Sequence, residues 1–123
     1  MKKVLIIEDD INTTAMYVLF LTEAFREDIH YITFESLEDA QKSATIHPDC
    51  DIYILDGTIR GGHTNQVIDQ FPKQKIIVIS SEESYVQECQ KKGIQAFMKS
   101  STYSDMYTAL KENKKIFETI LNK

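Results

Sequence analysis

Five short β-branched runs, each separated from the next by a stretch with a polar start and helical spacing, constrain this chain more than any other feature. Val4-Leu5-Ile6-Ile7, His30 to Phe34, Asp51 to Leu55, Lys75 to Ile79 and Gln95 to Met98 read as strands. Asn12 to Thr14 offers N-cap candidates for a helix through Met16, Leu19 and Phe20 to Phe25. Ser36-Leu37-Glu38-Asp39 resembles a capping box with Asp in place of Glu, and its helix must stop near His47-Pro48. After a short loop with three glycines, Gly57 to His63, a brief helix is predicted over Thr64 to Gln70, ended by Phe71-Pro72. Ser81-Glu82-Glu83 supplies a cap and acids to a helix closing at Lys91-Lys92-Gly93. One last helix is expected from Thr102, with a buried stripe at Met106, Leu110, Phe117 and Ile120.

Strand and helix alternating in this way predict an α/β chain of five βα units. The expected architecture is a flavodoxin-like (βα)5 doubly wound sandwich, its five-stranded parallel sheet in the order 2-1-3-4-5. Residues 1–123 are expected to form one domain, because no segment reads as a linker and no period of 20 to 50 residues repeats. A chain of this length buries roughly two-thirds of its unfolded surface and needs no disulfide or structural metal.

Charge narrows the partners. Fourteen Lys+Arg against nineteen Asp+Glu, a net charge of −5, argue against a direct nucleic-acid binder, which needs a basic stripe. Met1-Lys2-Lys3 before Val4 to Ile7 begins like a secretory signal, but Glu8, Asp9 and Asp10 end the apolar stretch. The longest apolar run, Ala15 to Leu21, is seven residues, far short of the ~20 a membrane-spanning helix requires. No membrane insertion and a cytoplasmic location are expected. Cys50 and Cys89 lack CxxC or Cys/His spacing and read as reduced thiols without a function.

In an open parallel sheet, ligands sit beyond the carboxyl ends of the strands, where the strand order reverses. Glu8 and Asp9 follow the first strand and Asp56 the third, so their side chains are expected in one cleft. Carboxylates brought together repel by ~1 kcal/mol per pair at 4 Å in water, and more near a protein surface, so a cation suits the cluster. Oxygen-only ligands favour Mg²⁺. The plainer alternative, solvated strand ends and helix caps, holds well for any one of these acids and poorly for three together.

These residues, with others, resemble a response-regulator receiver domain of the stand-alone chemotaxis type over essentially the whole chain. Val4 to Asp10 is similar to the family's first strand and acidic pair, and Ile52-Tyr53-Ile54-Leu55-Asp56 to its phosphoacceptor strand. Val78-Ile79-Ser80-Ser81 is similar to its hydroxyl-switch strand, and Gly93-Ile94-Gln95-Ala96-Phe97 to the turn into its fifth strand. The resemblance implies a phosphoacceptor domain of a two-component phosphorelay, with self-catalysed phosphoryl transfer and autodephosphorylation rather than conventional enzyme turnover. Asp56 would take a phosphoryl group from the phosphohistidine of a sensor histidine kinase or histidine phosphotransfer protein. Mg²⁺ would be bound by Asp9 and Asp56, by Glu8 through water, and by the main-chain carbonyl of Thr58. Ser80 would be the switch hydroxyl and Phe97 the switch aromatic, signalling to a downstream protein through the helix 4/strand 5/helix 5 face. A homodimer on phosphorylation is compatible with that reading. Tyr85, Lys91, Lys92, Tyr103, Tyr107 and Lys111 lie on or near this face, and the first helix is the family's usual docking surface for the phosphodonor.

Two departures stand out. The family's phosphate-pairing lysine is eighth when the glycine is counted as first, and a proline follows; here Ser100 is eighth, Lys99 seventh, and Ser101 replaces the proline. Arg60 stands where a proline is common, in a loop loosened by Gly57, Gly61 and Gly62. Lys99 is therefore either the pairing lysine, through its long stem or a bulge, or a solvated charge. The breaks sustain an alternative, a pseudo-receiver acting as a phosphorylation-independent interaction module. A third reading, as a haloacid-dehalogenase-type phosphatase, rests on Asp56-Gly57-Thr58 and fails because Ile54 stands where that nucleophile is needed.

Overall fold

Val, Ile and Leu on both faces of the central strands leave those strands no stable place except between two helical layers. The computed structural model of the protein describes residues 1–121, the side chain of Ala44 aside. Its strands are β1 (Lys2–Ile7), β2 (Ile29–Phe34), β3 (Ile52–Leu55), β4 (Thr58–Ile59), β5 (Gly62–His63), β6 (Ile76–Ser80) and β7 (Gln95–Met98). The five long ones form a parallel sheet in the order β2-β1-β3-β6-β7, the predicted order, and β4 and β5 pair as a small antiparallel hairpin. The helices are α1 (Ile11–Phe25), α2 (Leu37–Ile46), α3 (Glu83–Lys91), α4 (Tyr103–Glu112) and α5 (Lys114–Leu121). None of them is long and apolar enough to cross a membrane.

Side-chain alternation sorts the core into two clusters. Leu5, Ile7, Tyr53, Leu55 and Val78 pack with Leu37 and Ala40 of α2 and with Tyr85, Val86 and Cys89 of α3. Val4, Ile6, Ile52, Ile54, Ile77 and Ile79 pack on the other face with Tyr17, Phe20 and Leu21 of α1, Met106 and Leu110 of α4, and Phe117 and Leu121 of α5. Both cysteines are free and buried, and burial raises both thiols above the ordinary range.

Four local expectations are corrected. The third connection carries no α-helix: Thr64–Gln66, Ile68–Gln70 and Lys73–Lys75 are single 3₁₀ turns, since the segment is too short to repay helix nucleation before Pro72. The last helix is two. At Asn113 the side-chain amide donates to the Ala109 carbonyl at 2.8 Å and competes with helical continuation. The cap of α1 is Asp10, whose side chain accepts from the Asn12 amide, rather than a residue of the 12–14 stretch. α3 starts at Glu83 with no side-chain cap, and Ser81 does not serve as one. The cap predicted at Ser36 is present, and Thr102, where the last helix is expected to begin, caps α4.

The glycine loop is tight rather than loose. The β4–β5 hairpin turns at Arg60-Gly61, where Gly61 has φ +86°, a region glycine enters freely. The Arg60 carbonyl accepts from the Leu37 amide at 2.8 Å, and a Cβ on Gly62 would lie 2.4 Å from a Leu37 methyl. Arg60 thus ties the loop to the start of α2.

Candidate functional site

The sheet ladder continues one residue beyond its strands, and that continuation builds the site. Glu8 N–H donates to the Phe34 carbonyl at 3.0 Å, Asp56 N–H to the Ile7 carbonyl at 3.0 Å, and Lys99 N–H to the Ser80 carbonyl at 2.8 Å. Carried past the strand ends, the alternation that groups Ile6, Ile54 and Phe97 also puts Glu8, Asp56 and Lys99 on one face. Their charged ends meet. Lys99 Nζ lies 2.6 Å from Glu8 Oε1 and 3.1 Å from Asp56 Oδ2.

The seventh-place lysine therefore sits against the acid at position 56, and Phe97 keeps its own position half-buried against the α1/α4/α5 layer. Counting from Phe97 explains why both hold. Lys99 is two residues on and shares its face, whereas Ser100 falls on the other. Glu8 and Asp56 are buried and Asp9 is exposed, and one oxygen from each of the three lies within 4.8 Å of the others. The remaining atoms are held by backbone: Glu8 Oε2 accepts from Asp10 N–H at 3.1 Å and Asp56 Oδ1 from Gly57 N–H at 2.7 Å.

Two buried carboxylates face one ammonium. Burial, followed by the charge of Asp56, pushes the Glu8 carboxyl up to about 8, against the pull of Lys99. Burial works to lower the Lys99 ammonium, but its hydrogen bond to Glu8 and the two acids together hold it above the ordinary lysine value. Beneath them the Tyr17 hydroxyl is buried with no hydrogen-bond partner among the described residues. Its phenol is driven well up by burial, then by Glu8 and Asp56. Three carboxylates, with one oxygen from each within 4.8 Å of the others, form an oxygen donor set that fits a hard divalent cation.

At the mouth of the pocket, Ser80 and Thr58 are joined by two residues that the sequence does not mark as part of a site, Glu82 and His63. Ser80 is the last residue of β6, fully buried, and its hydroxyl accepts from Glu82 N–H at 3.0 Å. The Glu82 carboxylate turns back over Gly57. Its Oε2 accepts from Thr58 N–H at 3.1 Å and the Thr58 hydroxyl at 3.2 Å, with the Ser80 hydroxyl at 3.5 Å. His63 Nε2 lies 3.0 Å from the same oxygen. Glu82 reads in sequence as a helix-start acid, and only the hairpin brings Thr58 and His63 to it. The one signal in the chain is that Glu82 stands two residues after Ser80 and Thr58 two after Asp56.

Of the six side chains read as an interface, Tyr85 is corrected outright. It is buried, its hydroxyl 2.9 Å from that of Thr64, which in turn donates to the Asp56 carbonyl. Tyr103 and Tyr107 turn toward the first helix region, the first reaching Asp10 at 3.2 Å and the second donating to Glu23. Lys111 lies over the Tyr107 ring, and Lys92 pairs with Glu88 at 3.1 Å. Lys91 is exposed.

A parallel five-stranded sheet in this order, with acids at the ends of its two middle strands, defines a class of doubly wound α/β proteins that use the switch point as their site. No protein-family profile matches the chain, and no curated protein matches it in sequence. Solved structures do match in shape. A response-regulator receiver domain from Rhodospirillum rubrum superposes with a TM-score of 0.75 at 13% identity, over 95% of this chain and 94% of that one. The Mn²⁺-bound form of the response regulator Rcp1 matches with a TM-score of 0.75 at 17% identity, over 95% and 94%. A chain of the CheX–CheY–BeF3–Mg²⁺ complex from Borrelia burgdorferi matches with a TM-score of 0.63 at 21% identity, over 94% and 89%. The chain has the fold of response-regulator receiver domains.

Proposed function

We propose that this chain is a receiver domain spanning residues 1–123 that accepts a phosphoryl group on Asp56 and signals through protein contact. The observation that carries the reading is Lys99 Nζ set between Glu8 Oε1 and Asp56 Oδ2, with Asp9 at the same sheet end. A solvated lysine would not be drawn into a buried acid pair. In the transfer, an Asp56 oxygen attacks the phosphorus of a phosphohistidine, the new O–P bond forms as the P–N bond breaks, and the imidazole leaves with a proton. Lys99 can stay with the phosphoryl oxygens as charge leaves the Asp56 carboxylate, and the Ser80 hydroxyl can donate to one of them.

Glu8, Asp9, Asp56 and the Thr58 main-chain carbonyl are the residues that would hold Mg²⁺. The metal would supply charge neutralisation and in-line alignment. The Mn²⁺ in Rcp1 and the Mg²⁺ in the CheX–CheY complex support a divalent ion in this fold. Phosphodonors fitting this chemistry are a sensor histidine kinase or a histidine phosphotransfer protein in the cytoplasm. Phe97, half-buried beside Ser80's strand, would carry the change to a downstream protein, with homodimer formation as a second output.

The test is intact mass after incubation with acetyl phosphate and Mg²⁺, on wild type and Asp56→Ala side by side. A phosphoryl adduct on wild type alone is the expected result; an adduct that survives Asp56→Ala, or none on wild type and on every Glu82 variant, removes the reading. The Glu82 carboxylate over Gly57 favours the pseudo-receiver as a second reading, and that reading requires that no variant of Glu82 acquires the adduct either.

A further inference from the structure

Four donors converge on one carboxylate oxygen at the pocket mouth. Glu82 Oε2 takes the Thr58 amide at 3.1 Å, the Thr58 hydroxyl at 3.2 Å, His63 Nε2 at 3.0 Å and the Ser80 hydroxyl at 3.5 Å. A backbone amide and hydroxyls aimed at one point beside a nucleophile are the means by which proteins hold a developing oxyanion. Here a resident side chain sits in that seat. Gly57 makes the room for it: a Cβ there would lie 2.1 Å from the same Glu82 oxygen.

His63 is built to keep the carboxylate in place. Asn65 N–H donates to His63 Nδ1 at 3.1 Å, so the ring proton is on Nε2 and points at Glu82. The ring stands edge-on to Tyr85 with centroids 4.5 Å apart, and the His63 amide donates to Gln66 Oε1 at 3.0 Å. Nδ1, the ring edge and the backbone of His63 each have a partner other than Glu82.

Resting on the phosphoacceptor reading, we propose that Glu82 occupies the seat of an incoming phosphoryl oxygen and that His63 is the positioning residue that latches it there. The carboxylate must swing out before Asp56 can be phosphorylated, so the closed population lowers the rate and the affinity for a phosphoryl group by the same fraction. His63→Ala tests the latch without changing the carboxylate's charge. Glu82→Gln and Glu82→Ala test the occupant.

Labelling by acetyl phosphate with Mg²⁺, followed by intact mass, and the affinity for beryllofluoride are measured on all four proteins, with Mg²⁺ affinity by calorimetry as the control. Expected are rises in rate and beryllofluoride affinity of about tenfold for Glu82→Ala and about threefold for His63→Ala, with Mg²⁺ affinity unmoved. The Thr58 amide resonance should shift in His63→Ala toward its position in Glu82→Ala, because the carboxylate leaves Thr58 in both, and a purely structural role for His63 would not produce that common shift. Wild type labelling as fast as every variant overturns the latch and leaves the phosphoacceptor reading standing. Faster Glu82 variants with an unchanged His63→Ala overturn it too. If no protein is labelled, the phosphoacceptor reading and the latch fall together. His63→Phe, which keeps a ring against Tyr85 but has no Nε2–H for Glu82, carries the test if His63→Ala does not fold.

Discussion

Glu8, Asp56 and Lys99 come from the ends of sheet strands, and their side chains are 1%, 10% and 18% exposed. Thr58, His63 and Glu82 come from a hairpin and a helix start, with the His63 and Glu82 side chains 23% and 38% exposed. The first group pairs charges where the dielectric is low and water cannot relieve a mismatch. The second makes its hydrogen bonds at a wet rim. Interactions of similar length therefore have unequal weight in stability: the strand-end group is coupled to folding, and the mouth group can move at little cost.

The largest effect separating them should come from Asp56→Ala, which removes the phosphoryl adduct entirely, while no single change at the mouth does so. Next is Lys99→Ala. It leaves two buried acids without their cation and should destabilise the metal-free protein by about 2 kcal/mol in urea unfolding. A loss under about 0.5 kcal/mol there would place Lys99 with the solvated charges and erase the contrast.

A smaller effect is the pH dependence of Glu8. Its folded value, about 8, lies above the ordinary 4.5, so its contribution to stability is whole below about 4.5 and is lost as pH rises through about 8. In metal-free buffer Tm should fall over that window, and Glu8→Gln should flatten the fall. A wild-type profile no steeper than that of Glu8→Gln would show that the acid pair does not hold its proton. The smallest effect is Glu82→Gln, which should change unfolding stability by less than about 0.5 kcal/mol. A cost above about 2 kcal/mol would make the mouth as structural as the strand ends.

The acids of the strand-end group were legible because alternation is a local rule, whereas for Lys99 the sequence supports both a pairing lysine and a solvated charge. Two residues always return a side chain to the same face, so Glu8 after Ile6 and Asp56 after Ile54 are placed by counting. Comparing Lys99 with the family's usual spacing made it look displaced; counting along its own strand puts it on the side of the acids. The mouth group was not legible. Glu82 has the same sequence signature as any acid at a helix start, and His63 that of a loop residue. What joins them is the hairpin register Thr58↔His63 and the return of the chain from β6.

Helix lengths failed for a related reason. Thr64–Gln70 and the stretch around Asn113 each have apolar spacing that fits an α-helix, yet a few residues decide whether nucleation is repaid, and that depends on what they pack against.

The sequence by itself determined the strand–helix alternation, the apolar floor of the sheet and the acids at its carboxyl end, because periodicity and burial act between near neighbours along the chain. Tertiary structure alone decided that Lys99 Nζ settles between Glu8 and Asp56 and that Glu82 lies under His63 and Thr58. Those contacts join residues 19 to 91 positions apart, and such pairs are set by strand order and loop closure, which no local pattern encodes.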